Sequence, residues 1–271
     1  MLFNLIDQDR VPSGFDQQVA SVQATTTATE MWYDASHLND TTPVLRPGAL
    51  WDDNFGNYFQ YVKAGANLTV GQFVSLQAPT TGTSTAAGST VYVQVTNVTT
   101  TANEVGNYLW QLDAVGQTSS QYRQTLRRIK SSTVGSNATF VLSQQGSTYG
   151  NNIYDLDYLP RTATNGAALA VIRPFNVISA TASTLPIGVA LGTITSGNWT
   201  IIQVAGLAMI QANNVGAATA VGVPGAMQAS GVFTGAASAS QSILGTSIIP
   251  LYAHNSSTTS LIPAFVNFMG T

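Results

Sequence analysis

The chain has 271 residues, a net charge of −3 and only 8% charged residues, where soluble domains typically carry about 25%. Its 4 Trp, 10 Tyr and 10 Phe at so low a net charge exclude disorder driven by charge and weak hydrophobicity. Cysteine is absent, which excludes disulfide frameworks, thiolate metal sites and cysteine nucleophiles together.

The length allows one large β domain or two ordinary ones. A soluble monomer normally disperses itself with a charged surface, so an exterior of Thr, Ser, Asn, Gln, Ala and Gly reads as surface that neighbours cover. The competing reading is the polar, uncharged exterior of a secreted β protein. The first ten residues, Met1 to Arg10, have no basic segment and soon acquire Asp7 and Asp9, so synthesis in a cytoplasm without a secretory signal is expected. No apolar run reaches the 18 residues of a membrane helix, since Ile201 to Ile210 is broken by Gln203 and Gly206. No membrane partner is expected.

Charge divides the chain into three zones. Residues 1–62 hold eight acids, among them Asp52 and Asp53, against Arg10 and Arg46 alone. This zone lacks sustained periodicity and is read as an extended acidic N-terminal arm. Trp32, Tyr33 and Trp51 are its expected anchors on a partner, because rigid aromatics dominate the binding energy of buried interfaces. Within it, Gln17 to Met31 suits a short helix or an edge strand equally.

Residues 63–180 turn basic and are read as a β lobe carrying an insertion. Strand signals fall at Gln72 to Leu76, Val91 to Val98, Tyr108 to Ala114, Thr139 to Leu142 and Ala170 to Ile172, each bounded by Gly, Pro, Asn or Ser. The alternation around Val91, Val93 and Val95 places the valines on one half-buried face. Ala78 to Thr90 reads as a hairpin loop, and Ser120 to Lys130 as a short helix, an edge strand or a loop. Arg123, Arg127, Arg128 and Lys130 form a basic cluster. Solvated charge is its default reading, and pairing with a neighbour's acids is the functional one. A sequence pI of about 5.1 argues against nucleic acid.

After Arg173 no Asp, Glu, Lys or Arg occurs through Thr271. Residues 181–271 are read as a charge-free β region that completes the fold and supplies a self-association surface, with strands at Val189 to Ile194, Trp199 to Val204 and Leu207 to Gln211. All-β architecture follows, as small barrel or sandwich lobes behind the arm.

Chemistry has few candidates. His37 and His254 lie far apart and outside any metal-ligand or nucleophile-turn spacing. The carboxylate pairs are Asp7/Asp9, Asp52/Asp53 and Asp155/Asp157, the last flanked by Tyr154 and Tyr158 that would stack a sugar. Turn carboxylates with packing tyrosines are the plainer reading. No enzyme, cofactor or metal is expected.

Two stretches are similar to the β-tulip domain of tailed-bacteriophage capsid decoration, or cement, proteins. One runs Lys63-Ala64-Gly65-Ala66-Asn67-Leu68-Thr69-Val70-Gly71-Gln72-Phe73-Val74. The other runs from Ile187-Gly188-Val189-Ala190-Leu191-Gly192 through Ser196-Gly197-Asn198-Trp199-Thr200 to Ala205-Gly206-Leu207-Ala208-Met209-Ile210-Gln211-Ala212, with Gly222-Val223-Pro224-Gly225 beyond. The resemblance covers about Lys63 to Gln77 and Gly188 to Gly235, so the segment between would be an insertion or a second lobe. It implies a virion protein that binds the capsid exterior where major capsid subunits meet, as a homo-oligomer, with a trimer set ahead of a dimer. A receptor-binding adhesin or fibre tip is the alternative, and a carbohydrate-active enzyme the third.

Overall fold

The computed structural model describes residues 4–5, 37–53, 55–85, 93–112, 124–142, 165–215, 217–223, 225–235 and 248–269. The strands are β1 (Asn4–Leu5), β2 (Leu50–Asp52), β3 (Tyr58–Ala64), β4 (Phe73–Leu76), β5 (Thr80–Thr83), β6 (Val93–Val95), β7 (Tyr108–Leu112), β8 (Gln124–Ser132) and β9 (Thr139–Leu142). Then follow β10 (Ala168–Ile172), β11 (Asn176–Ser179), β12 (Gly188–Ala190), β13 (Trp199–Asn213), β14 (Gly225–Met227), β15 (Phe233–Gly235), β16 (Ile248–Pro250) and β17 (Ser260–Asn267). The protein is all-β. It divides into two compact units, Met1–Gln77 with Phe175–Thr271, and Ala78–Pro174.

The first unit is built on a closed barrel of 5 strands. β3 pairs β11 in parallel, and antiparallel pairs β11–β4, β4–β12, β12–β13 and β13–β3 complete the ring. Closure removes the unpaired edges that an open sheet leaves. Val62, Ala64, Leu68, Val74, Val177, Ala190, Ile202 and Val204 fill one cluster. The opposite side of β3 is also covered, with Trp51, Phe59, Tyr61 and Ile201 packed with Leu45 and Ala49. β3 therefore buries alternate residues on both faces, which hides a period-2 signal.

β13 is long enough to serve two sheets. Its first part pairs β3 up to Ala205, and from Ala205 onward it pairs β17 as far as Ala212. The handover falls at Gly206, whose φ is +101°. A Cβ there would stand 2.7 Å from Asn57 Cα and 2.8 Å from the Gly56 carbonyl oxygen, so a glycine is required by both conformation and space.

The second unit is a sheet of six strands in the order β5-β10-β7-β8-β9-β6, around Val98, Leu109, Ile129, Phe140, Leu142, Leu169 and Val171. A bridge between Ser84 and Thr96 joins its two end strands. Beside this core lies an ion pair. Arg173 donates from Nη2 to Glu104 Oε1 at 2.6 Å and from Nε to Oε2 at 2.9 Å. Asn107 Nδ2 also donates to Glu104 Oε2, at 2.8 Å, and Arg173 Nη1 donates to Thr80 Oγ1 at 2.8 Å. Both charged residues are buried.

Several expectations change. The chain leaves the first unit after Gln77 and returns at Phe175, whereas the charge zones divide after 62 and after 180. Packing, not net charge, sets these borders: the last stretch of the expected arm, Leu50 to Val62, supplies β2 and most of β3. The Thr-rich stretch expected as a loop from Ala78 contains β5, paired with β10, and its β-branched threonines suit a strand. Around Val93 and Val95 the buried side chain is Gln94, at 0% exposure, while the two valines are only half-buried. Ser120 to Lys130 resolves as strand where described, from Gln124.

Candidate interaction surface

Beyond Gly206, β13 and β17 alternate cleanly between two faces. Ala208, Ile210, Ala212, Ile262, Ala264 and Val266 point into a core shared with Phe73 and Phe233. The residues between them point outward: Leu207 lies opposite Phe265, Met209 opposite Pro263, and Gln211 opposite Leu261. Leu207 is 49% exposed, Phe265 50%, Leu261 42% and Met209 39%. Large apolar side chains thus form a row on the solvent side of a paired strand ribbon.

The turn between β2 and β3 extends this row. Asp53, 1% exposed, accepts hydrogen bonds at Oδ1 from the Phe55 and Asn57 amides at 2.8 and 3.1 Å. Its Oδ2 accepts from Asn57 Nδ2 at 2.6 Å. Asn57 Oδ1 in turn accepts from the Leu207 amide at 2.8 Å. The carboxylate thereby holds the turn against β13 at Gly206, satisfied as a buried charge must be. Phe55 is left 60% exposed beside the strand row. A cleft of about 840 Å³ opens here, lined by Phe55, Tyr58, Gly206, Leu207, Phe265 and Met269, among others. No Asp, Glu, Lys, Arg or His lines it.

A second cluster lies where residues 37–45 cross the barrel. Asp40 bridges to Trp199 through the backbone. Tyr61 donates its hydroxyl to Asp40 Oδ2 at 2.9 Å and accepts from the Val44 amide at 3.2 Å. His37 Nδ1 stands 3.2 Å from the same Asp40 oxygen. Tyr61 also stacks on Trp199 with ring centroids 5.6 Å apart. Burial, chiefly, and then the bond to Asp40 and its charge push the Tyr61 phenol well above its ordinary 10.0.

That shift has a defined sign. Unfolded Tyr61 ionises first as the pH climbs past 10.0, so the stabilisation is complete below that pH and shrinks above it. Denaturant titrations at about pH 8 and about pH 11 should show wild type losing more stability than Tyr61→Phe across the interval. Equal losses would mean that Tyr61 keeps its ordinary value.

The residues singled out by sequence fall in different places. Trp32, Tyr33 and Arg123 lie outside the described residues, as do Asp7, Asp9 and the Tyr154 to Tyr158 group. Trp51 is a correction: at 0% exposure, with its ring centroid 6.1 Å from that of Phe59, it is a core residue and not a surface anchor. Arg127 is another. On β8 successive side chains face opposite ways, so Arg127 is buried while Arg128 and Lys130 are exposed, and the basic residues do not make one patch. Asp53 serves the turn described above. His254 bridges to Thr219 and pairs Nε2 with the Thr258 carbonyl at 3.1 Å. Among the described residues, no three His, Asp or Glu side chains gather closely enough to share a metal ion.

Sequence reasoning missed Phe55, Leu261, Phe265 and Met269 as surface residues. For Leu261, Phe265 and Met269 the only signal was the absence of charge around them, while Phe55 lies in the acidic stretch beside Asp52 and Asp53. No protein-family model matches the chain, and no curated protein and no solved structure matches it.

Proposed function

We propose that the chain is a structural virion protein that binds the outer surface of a phage capsid and cements neighbouring major capsid subunits. Its partners are those subunits and further copies of itself, and its place is the capsid exterior. The observation that supports this reading is the charge-free strand pair β13 and β17 with its row of half-exposed apolar side chains, Leu207, Met209, Leu261 and Phe265. Contiguous exposed apolar surface on a soluble domain marks an interaction site.

The test is copy number and position. Mass spectrometry and image reconstruction of purified virions should find this chain in many copies spread over the shell, and purified chain should rebind shells that lack it. A few copies confined to a tail tip would move the reading to adhesion. Failure to bind shells, with no copies in virions, would end it.

A further inference from the structure

We infer that the outer face of β13 and β17 is the seat of a second copy of this chain, packed patch against patch about a two-fold axis. The inference rests on reading the chain as an assembly protein and names the partner that covers this face.

Area is the first argument. Phe55, Leu207, Met209, Leu261, Phe265 and Met269 are between 39% and 60% exposed. With about 150–250 Å² for a whole aromatic side chain and somewhat less for Leu and Met, they offer on the order of 500 Å² of apolar surface. A standard interface buries about 800 Å² per partner, and homodimer interfaces are about 65% apolar. The product is again close to 500 Å². The patch therefore matches what one side of a homodimer needs, with Gln211 and Asn267 at its polar margin.

Charge is the second argument. β13, β17 and the whole chain after Arg173 carry no Asp, Glu, Lys or Arg. Bringing β13 and β17 against their own copy sets no like charges together, and Asp53 beside Phe55 is buried in its own turn, whereas the two strands have nothing with which to steer or register a charged partner. An identical surface is the complementary one.

Shape is the third. A two-fold contact presents the same patch from both sides, so the patch must contain projections and a recess together. Here the cleft beside Gly206 lies at one end of the strand ribbon and Leu261 at the other, four residues from Phe265 and thus about 13 Å away along the strand. Met209, opposite Pro263 between those ends, then sits near the axis.

The test uses the full chain. Sedimentation at about 10 μM should show a dimer, and Leu207→Lys or Phe265→Lys should weaken it at least a hundredfold while circular dichroism and melting stay as in wild type. Because the chain has no cysteine, Met209→Cys gives a second readout: a short bifunctional thiol cross-linker, able to span the roughly 10 Å between two packed strand faces, should yield a covalent dimer. A monomeric wild type at about 100 μM overturns the inference. So does an oligomer that withstands both lysine substitutions. The two readings fail separately, since a dimer that ignores phage shells leaves this face assigned and removes the cement role, and a monomer that coats shells does the reverse.

Discussion

Arg173→Ala should destabilise the second unit by about 3–5 kcal/mol, the usual result of removing one partner from a buried ion pair. Glu104 would keep its burial and its bond from Asn107 but lose both bonds from the guanidinium, at 2.6 and 2.9 Å. Thr80 would lose its own contact with Arg173 at the first strand of that unit. The cost arises from the stranded charge more than from the net worth of the pair, so Glu104→Leu combined with Arg173→Met should recover most of it. Trp110 on β7 lies within the unit. Its fluorescence during denaturant unfolding is the measurement, and a loss under about 1 kcal/mol for Arg173→Ala would show that water or neighbouring groups satisfy Glu104 unaided.

Trp51→Ala should remove about 3–5 kcal/mol from the first unit, the range for emptying an aromatic site in a packed core. The side chain is fully buried among Phe59, Tyr61, Leu45 and Ile201, in the cluster that covers β3 from outside the barrel. Taking roughly 2–4 °C per kcal/mol for a unit of this size, the melting temperature should fall by on the order of 10 °C. Unchanged melting together with lost partner binding would return Trp51 to the role of an interface anchor.

Trp51 also shows where the sequence was opaque. An acidic, aperiodic setting hides β2 and β3, because β3 buries Phe59 and Tyr61 on one side and Val62 and Ala64 within another cluster. Periodicity reports one covered face, and this strand has two. The legible parts were those with one covered face or with glycine punctuation. Thr139–Leu142 matches its expected range, and Tyr108–Leu112 begins where expected. The strands expected at Trp199 to Val204 and Leu207 to Gln211, on either side of Gly206, form the single strand β13. The basic cluster was misread because a run of nearby arginines says nothing about strand alternation, which separates Arg127 from Arg128. The candidate surface was legible only as missing charge, since whether Leu207 or Ala208 faces solvent depends on β17, more than fifty residues further along the chain.

Residues Ala78–Pro174 leave and rejoin the first unit through β4 and β11, which pair antiparallel with Leu76 opposite Val177. Their two attachment points are therefore neighbours on adjacent strands, about 5 Å apart in the pairing direction. A short turn would span that gap. The inserted unit is in effect a cassette: it can be shortened, exchanged for a foreign domain or left out without asking the barrel to rejoin distant ends, and the protein offers a ready position for displaying cargo.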